Sequence, residues 1–259
     1  MFKSFYLRSL LKKLAWRVYA WSENLNDIHP ATNGEEYFLS KLLLFCHEKA
    51  FVFFDVGANI GNYSQLLLKH IPDAEGHLFD PLPACGARLR ERFGNCPKIV
   101  VNEAAVSDTA GSRTLWFADP QSTLASFYRR DPASCGVTAN TSHEVNMLTL
   151  EDYIRTHDIV HIHLLKVDVE GHELKALEGL GGFLRPDFVD FIQFEYGGAG
   201  IDSMTSLRSL YRLLESKGFF VCKLMPRGLW KRSYYPVMDN FQYANFVAVS
   251  SRFSGEILA

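Results

Sequence analysis

The stretch Phe51-Val52-Phe53-Phe54-Asp55-Val56-Gly57-Ala58-Asn59-Ile60-Gly61-Asn62-Tyr63-Ser64 predicts a buried strand that turns directly into a helix. Apolar residues precede the acid Asp55 and the two glycines, and Tyr63, Leu66 and Leu67 follow at helical spacing. Glycine suits such a turn because a Cβ would block a backbone with positive φ or the approach of a ligand to the N–H groups at the helix start. The stretch therefore indicates a nucleotide-binding turn, with a plain strand-to-helix turn as the alternative.

A second acid follows the next predicted strand. Residues 76–79 form a short apolar run that ends at Asp80, 19 positions beyond Gly61. In α/β cofactor-binding folds, a carboxylate at this place accepts hydrogen bonds from the ribose hydroxyls of a bound nucleoside. A solvent-exposed turn aspartate before Pro81 is the alternative, but the glycine turn and the acid together in one β-α-β unit favour a ribose site.

Strands and helices continue to alternate along the chain. Further strands are predicted within residues 99–106, 161–170, 188–196, 218–224 and 245–250, with helices between the earlier ones and strands alone at the end. This order is typical of a doubly wound, mostly parallel α/β sheet with an antiparallel edge.

Two segments are predicted to be loops beside the sheet. The alternating residues 113–117 and 144–148 predict paired strands around a polar loop, residues 118–142, which we interpret as a substrate-side loop. A basic aromatic loop is predicted at residues 226–236. Side chains of these loops that could contact an acceptor are Ser126, Tyr128, Arg129, Arg130, Trp230 and Arg232.

Composition narrows the classes of function. The chain has 259 residues, 47% of them hydrophobic, and a net charge of −2, which suits one α/β domain and gives no general attraction to nucleic acid. The cysteines are odd in number and show no C-x-x-C spacing, which favours a reduced, cytoplasmic compartment over a disulfide framework or a thiolate metal site. They are Cys46, Cys85, Cys96, Cys135 and Cys222.

The first 22 residues have a different character. They contain five basic residues and no acid, while Leu7, Leu10, Leu11, Leu14, Val18 and Trp21 recur at helical spacing. The segment therefore predicts a basic amphipathic helix, without the continuous apolar run of a signal peptide or a membrane span. Peripheral contact with an anionic membrane surface is one interpretation, and packing on the domain or on a partner subunit is the other.

Acids and a histidine follow the fourth and fifth strands. Leu165-Lys166-Val167-Asp168-Val169-Glu170-Gly171-His172-Glu173 ends a strand, and Glu195 ends the next one. In open parallel sheets this edge binds ligands. The alternatives are that Glu170 and Glu173 favour a helix N-terminus and that His172 is a half-exposed helix residue.

Together these segments resemble the FkbM-type S-adenosylmethionine-dependent methyltransferases. The similar segments are residues 53–61, Asp80-Pro81, residues 102–108 and residues 165–173, and the resemblance spans about residues 33–250. It implies the class I methyltransferase fold, a seven-stranded sheet with an antiparallel last strand, in a domain at 33–255 that follows the basic helix and lead-in at 1–32. It also implies O-methylation of a sugar, glycan or related natural-product hydroxyl.

The resemblance implies roles for particular residues. Asp55, Gly57, Asn59 and Gly61 would surround the methionine part of S-adenosylmethionine, Asp80 would hold the ribose, and Asn102 and Glu103 would lie near the adenine. The family more often has glutamate before the proline, so Asp80 is one methylene shorter. A hydroxyl acceptor must lose its proton during attack. We expect Asp168 or His172 to act as the base and Glu195 to orient the acceptor.

No metal is expected. His161 and His163 are interpreted as a strand-entry pair because no third ligand lies at a recognisable spacing. Some other methyltransferases bind a divalent ion between acids at the ends of the fourth and fifth strands, as Asp168 and Glu195 could do.

Two rival functions remain open from the sequence. A nicotinamide-dependent oxidoreductase would share the ribose acid but expects G-x-G-x-x-G, whereas Gly57 is followed by Ala58, Asn59 and Ile60 before Gly61. A non-catalytic domain would act through the basic N-terminal helix. The sequence leaves the identity of the acceptor and the oligomeric state undetermined.

Overall fold

The protein is described by a computed structural model that covers residues 2–45, 50–130 and 138–253, with side chains from residue 7 onward. The strands are β1 (Val52–Val56), β2 (Glu75–Phe79), β3 (Ile99–Asn102), β4 (Ala105–Val106), β5 (Gly111–Phe117), β6 (Thr141–Leu148), β7 (Ile162–Val167), β8 (Val189–Tyr196), β9 (Phe219–Met225), β10 (Gly228–Lys231) and β11 (Ala244–Ser250). The α-helices are α1 (Phe2–Ser22), α2 (Pro30–Asn33), α3 (Glu35–Lys41), α4 (Asn62–His70), α5 (Pro83–Phe93), α6 (Leu150–Thr156), α7 (Glu173–Glu178), α8 (Ala199–Ser203) and α9 (Leu207–Ser216). Short 3-10 helices lie at Leu42–Leu44, Gly181–Phe183, Pro236–Met238 and Ser251–Phe253.

The main sheet has eight strands in the order β10-β9-β11-β8-β7-β1-β2-β3. Neighbours from β8 to β3 run parallel, whereas β11 pairs antiparallel with both β8 and β9. This confirms a mostly parallel α/β sheet with an antiparallel last strand. The predicted number of seven strands was one too few. Residues 228–231, predicted as part of a loop, form β10 because a two-residue turn at Pro226-Arg227 returns the chain along β9.

The predicted third strand is divided between two sheets. Its first half is β3 in the main sheet, and its second half, β4, joins a three-stranded sheet in the order β4-β6-β5. The predicted pairing around the polar loop is confirmed, since β5 runs antiparallel to β6. The chain changes sheets after Asn102 because Ala105 packs in a separate apolar cluster with Leu115 and Val145.

Helices cover both faces of the main sheet, as a doubly wound fold requires. One core contains apolar residues of α6, α7 and α9, such as Ile154, Leu177 and Leu210. The other contains residues of α3, α4 and α5, such as Leu39, Leu67 and Leu89. Both layers of helix leave the carboxyl ends of β1, β2, β7 and β8 at one edge, where the predicted functional residues lie.

The N-terminal helix α1 packs on the domain only at its end. All of its residues from 7 to 18 are exposed, whereas Tyr19 and Ala20 contact the core and the following Leu25 is buried. Residues 7–18 therefore do not pack on the domain, and packing on a partner subunit or contact with a membrane surface stays a prediction. Within the described residues, no helix has the length and apolar character needed to cross a bilayer. The division into residues 1–32 and 33–255 stays a prediction.

The described cysteines do not form disulfides. Cys85 and Cys222 are buried thiols and Cys96 is an exposed one, while Cys46 and Cys135 lie outside the described residues. The cytoplasmic location stays a prediction.

Candidate active site

The glycine turn brings the ends of β1 and β7 into contact. Gly57 has φ +85°, and a Cβ on it would lie 1.8 Å from the carbonyl oxygen of Asp168. Gly61 has φ +82°, and its Cβ would lie 2.5 Å from Cε2 of Phe93 on α5. The positive φ expected of this turn is observed at both positions. The close neighbours that exclude a side chain are atoms of the protein itself, so glycine is needed here to build the site.

Asp80 lies against this turn. The backbone N–H of Asn59 donates to Oδ2 of Asp80 at 2.9 Å, and the N–H of Leu82 donates to Oδ1 at 2.9 Å. The carboxylate is buried, and burial raises its pKa to about 6 against the lowering effect of these two amides. The Cys85 side chain also hydrogen-bonds to this carboxylate, whose two oxygens offer about four lone pairs, so one remains to accept a hydroxyl.

A pocket that is partly open to solvent lies at this edge. Its polar wall contains Gly57, Asn59, Asp80, Asp168, Glu170 and His172. Its apolar wall contains Ala105, Val106, Leu115 and Phe127, and the polar loop adds Ser122, Thr123 and Ala125. The structure thus brings together the acid after β2, the turn after β1 and the residues after β7.

The polar loop is fixed to the end of β7. Ser126 Oγ donates to the carbonyl of Glu170 at 2.7 Å, and Arg130 Nη1 donates to the Glu170 carboxylate at 2.7 Å. The hydroxyl of Tyr128 lies 3.1 Å from Nδ1 of His172, and Arg129 stacks on Trp116. These side chains, predicted as acceptor contacts, therefore hold the loop in place over the pocket. Residues 131–137 of the loop lie outside the described residues.

Three carboxylates converge beyond the strand ends. One oxygen from each of Asp168, Glu170 and Glu195 lies within 4.8 Å of the others. Asp168 accepts a 2.7 Å hydrogen bond from Lys166 Nζ, and its side chain is 31% exposed. Burial and the negative charge of Asp168 raise the pKa of Glu170 to about 8 and that of Glu195 well above its usual value. The expected meeting of Asp168 and Glu195 at one edge is confirmed.

His172 is buried, so the interpretation of it as a half-exposed helix residue was wrong, while its role as a base stays a prediction. It precedes α7 and is buried, with Nε2 2.9 Å from Ser107 Oγ and Nδ1 near Tyr128. Burial, and then the charge of Arg113, lower its pKa to about 4. The ring is therefore neutral near pH 7, and both of its nitrogens have partners. Asp168, which accepts a hydrogen bond from Lys166 and lines the pocket, is the better placed proton acceptor.

Five predicted site residues do not line the pocket. Asp55 is fully buried below it, accepts from Ser64 Oγ at 2.6 Å, and has its pKa raised by burial. Gly61 packs on α5, and Glu195 borders a small neighbouring cavity. Asn102 donates to Tyr153 Oη at 3.1 Å, and Glu103 pairs with Arg90 at 2.5 Å. In place of the last two, Ala104 and Ala105 reach the pocket.

Lys166 is a site residue that the sequence analysis does not single out. It is 7% exposed and lies between Asp55 and Gln193 on the neighbouring strands β1 and β8. Burial lowers its pKa, but the negative charges of Asp168, Asp55 and Glu35 outweigh that effect and leave the pKa above the usual value. A lysine inside an otherwise apolar strand, Leu164-Leu165-Lys166-Val167, was the available signal.

Asp190 lies beside the two histidines at the start of β7, His161 and His163. His161 Nε2 lies 2.9 Å from the carboxylate of Asp190, a neighbour that the spacing did not reveal. Nδ1 of His163 accepts the backbone N–H of Val52 at 3.0 Å. The ring proton of neutral His163 is then on Nε2, which does not suit a metal ligand.

The known proteins to which this chain is similar are described as methyltransferases. The methyltransferase FkbM domain family matches residues 55–221. The chain is 34% identical over 157 residues to the 31-O-demethyl-FK506 methyltransferase FkbM of Streptomyces tacrolimicus, covering 50% of this chain and 59% of that protein. It is 27% identical over 163 residues to the hexuronic acid methyltransferase AglP of Haloferax volcanii, covering 62% of each. The chain thus spans about three fifths of these relatives. A solved precorrin-6y C5,15-methyltransferase of Geobacter metallireducens has 11% identity and a TM-score of 0.43 over 83% of this chain and 87% of that one.

Proposed function

This chain belongs to the FkbM methyltransferase family, and on that premise we propose that it methylates a hydroxyl oxygen with S-adenosylmethionine as cofactor. The acceptor that we propose is a sugar, a glycan or a related natural product. The observation that supports this most directly is one pocket with two carboxylates in different settings. Asp80 is buried and held by two amides, and Asp168 is partly exposed and paired with Lys166.

The residues of the pocket fit this cofactor. Asp80 would accept the ribose hydroxyls, because it lines the pocket and its carboxylate has more lone pairs than the donors of Asn59, Leu82 and Cys85 occupy. Val106, Leu115 and Phe127 provide an apolar wall for a flat base. Gly57 and Asn59 would border the methionine part. When bound, S-adenosylmethionine supplies a methyl group on a positively charged sulfur.

The residues beyond β7 and β8 would position and deprotonate the acceptor. Asp168 would accept the hydroxyl proton, and the 2.7 Å bond from Lys166 fixes one of its oxygens. Glu195, whose pKa is raised well above its usual value by burial and by the negative charge of Asp168, would orient the acceptor through a hydrogen bond. Arg130 holds Glu170 beside them at 2.7 Å. Fixed groups of this kind reduce the entropic cost of an in-line displacement.

The choice of an oxygen acceptor is supported by the relatives. One is described as acting on a 31-O-demethyl compound and another on hexuronic acid. The oxidoreductase alternative is disfavoured by the family assignment and by the absence of G-x-G-x-x-G after β1.

Cofactor binding is tested by calorimetric titration with S-adenosylhomocysteine. Asp80→Asn removes the charged acceptor, so we expect affinity to fall about 10- to 100-fold, as for a charged hydrogen bond. Asp73→Asn, at a side chain that is 94% exposed, is the matched control and should leave affinity unchanged. Tight binding of NADH with no binding of S-adenosylhomocysteine would overturn the proposal.

Methyl transfer is tested with labelled S-adenosylmethionine against glycans, lipid-linked sugars, hexuronic acids and small hydroxylated compounds. We expect the labelled methyl group to appear as a methyl ether in one of these classes. Asp168→Asn should abolish turnover while affinity for S-adenosylhomocysteine stays within about twofold, since the change removes the base without changing volume. Wild-type turnover by Asp168→Asn would exclude Asp168 as the base, and a methylated nitrogen or carbon would refute O-methylation.

A further inference from the structure

The helix α1 exposes an apolar face that its own domain does not cover. Leu7, Leu11, Leu14 and Val18 are 56–60% exposed, and Leu10 and Trp21 beside them are 47% and 84% exposed. At about 100° per residue the first four residues lie within one narrow stripe of the helix. A continuous face of this kind, exposed over three turns, marks a surface that binds something apolar.

Cations border that stripe on both sides. By the same geometry, Arg8 and Lys12 lie on one flank and Lys13 and Arg17 on the other. Residues 1–22 contain no acid to pair with them. Lysine and arginine on the flanks of an apolar stripe can extend their side chains toward lipid phosphates while the stripe enters the acyl layer.

The charge pattern distinguishes a lipid surface from a second copy of the helix. In a helix pair, the residues that flank the apolar seam meet each other and are favourable when their charges are opposite. Here both flanks are positive, so two copies would repel along the whole seam. An anionic surface meets the same cations with attraction.

The helix enters the domain at the edge that contains the candidate active site. Asn24 Nδ2 donates to the carbonyl of Leu224 at 3.0 Å, and the N–H of Asn26 donates to the carbonyl of Tyr243 at 2.9 Å. Tyr243 directly precedes Ala244, the partner of Tyr196 at the carboxyl end of β8. Glu23 is held by Lys223 at 3.1 Å and by Arg232 at 2.7 Å. The helix is thus firmly joined to the domain beside the end of β8.

We propose that α1 binds this protein to the surface of an anionic bilayer. The stripe of Leu7, Leu11, Leu14 and Val18, the leucine stripe, enters the boundary between headgroups and acyl chains, and the flanking cations contact the lipid phosphates. The helix lies on the bilayer without crossing it. Because its anchor is next to the end of β8, the edge of the sheet with Asp168 and Glu195 is held at the bilayer as well. This inference goes beyond methyl transfer and does not depend on it.

The test is flotation of the full chain with phosphatidylcholine vesicles that contain or lack phosphatidylglycerol. We expect binding to the anionic vesicles at about 0.15 M salt, and weaker binding at about 1 M salt because the charges are screened. Neutral vesicles should bind far less. Equal binding to both vesicle types, or no binding to either, would overturn the proposal.

Variants distinguish the contribution of the flanking cations from that of the apolar stripe. Lys12→Gln with Lys13→Gln should lower partitioning roughly 25-fold, at about fivefold per cation. Leu11→Ser with Leu14→Ser should lower it at least about tenfold. Lys98→Gln with Lys217→Gln removes two exposed cations of the domain and should change partitioning less than about twofold. S-adenosylhomocysteine affinity should be unchanged throughout, which keeps this result separate from the proposed function.

Sedimentation without lipid tests whether a second copy of this chain, and not a bilayer, binds the apolar stripe of α1. The wild-type chain and the Leu11→Ser, Leu14→Ser variant should have the same oligomeric state. A stable wild-type dimer that this variant dissociates would assign the leucine stripe to a second copy and refute the lipid proposal.

Discussion

Replacing Lys166 by methionine tests the buried charges beneath the pocket. Lys166 Nζ donates to Asp168 at 2.7 Å and lies 4.9 Å from the ring of Tyr63, while Asp55 is opposite it on β1. Methionine keeps the apolar length of the side chain but removes the cation. Asp168 is 31% exposed and can be solvated by water, whereas Asp55 is fully buried. The cost therefore falls mainly on Asp55, and we expect a loss of about 3–5 kcal/mol in the free energy of unfolding.

The pH dependence of this loss identifies its source. Burial raises the pKa of Asp55 in the folded state, and removal of Lys166 should raise it further. Above about pH 4 the unfolded chain releases the Asp55 proton while the folded variant retains it, so the stability of the variant declines as pH rises toward the folded pKa. The difference between wild type and variant should be small near pH 4 and largest near neutral pH.

Urea unfolding measured at several pH values is the assay. Asp55→Asn combined with Lys166→Met is the control, because it removes the buried charge with little change in volume and should recover most of the lost stability. A loss for Lys166→Met that is the same at every pH, or that Asp55→Asn does not reduce, would show that the lysine does not compensate Asp55.

Two further predictions concern the turn after β1 and the three carboxylates. Gly57→Ala should lower the free energy of unfolding by about 3 kcal/mol, because its Cβ would overlap the carbonyl of Asp168 at a φ of +85°; in thermal unfolding Gly182→Ala, with nothing nearer than 3.7 Å, should stay close to wild type. Methyl transfer should survive prolonged treatment with EDTA, and a loss of activity that Mg²⁺ or Mn²⁺ restores would instead make Asp168, Glu170 and Glu195 ion ligands.

Much of the fold could be predicted because the signals are local. The run before Asp55, the two glycines and the helical spacing after them define β1 and α4 from adjacent residues. The antiparallel last strand followed from the order of elements. β10 was missed because four residues with few apolar neighbours become a strand only when β9 is beside them. The third strand was predicted whole because its division depends on the cluster around Leu115, in a different part of the chain.

In the candidate site, too, local signals could be predicted and contacts between distant residues could not. Asp80 and Asp168 were found by their position at strand ends, which spacing alone reveals. The burial of His172 was missed because it results from Ser107 and Tyr128, 65 and 44 positions away. The loop residues Ser126 and Arg130 were expected to meet an acceptor, and only their folded positions show that they hold Glu170.

The sequence by itself therefore determined the turn at residues 51–64, the acids at the strand ends and the basic character of α1, since each depends on residue type and short-range spacing. Tertiary structure decided which of these groups share one pocket, which carboxylates are paired and that residues 7–18 of α1 stay uncovered. The physical reason is that burial and pairing set the charge and availability of a side chain, and both depend on neighbours that are distant in the sequence. Lys166, for example, can compensate the negative charge of Asp55 only because β7 lies between β1 and β8 in the folded sheet.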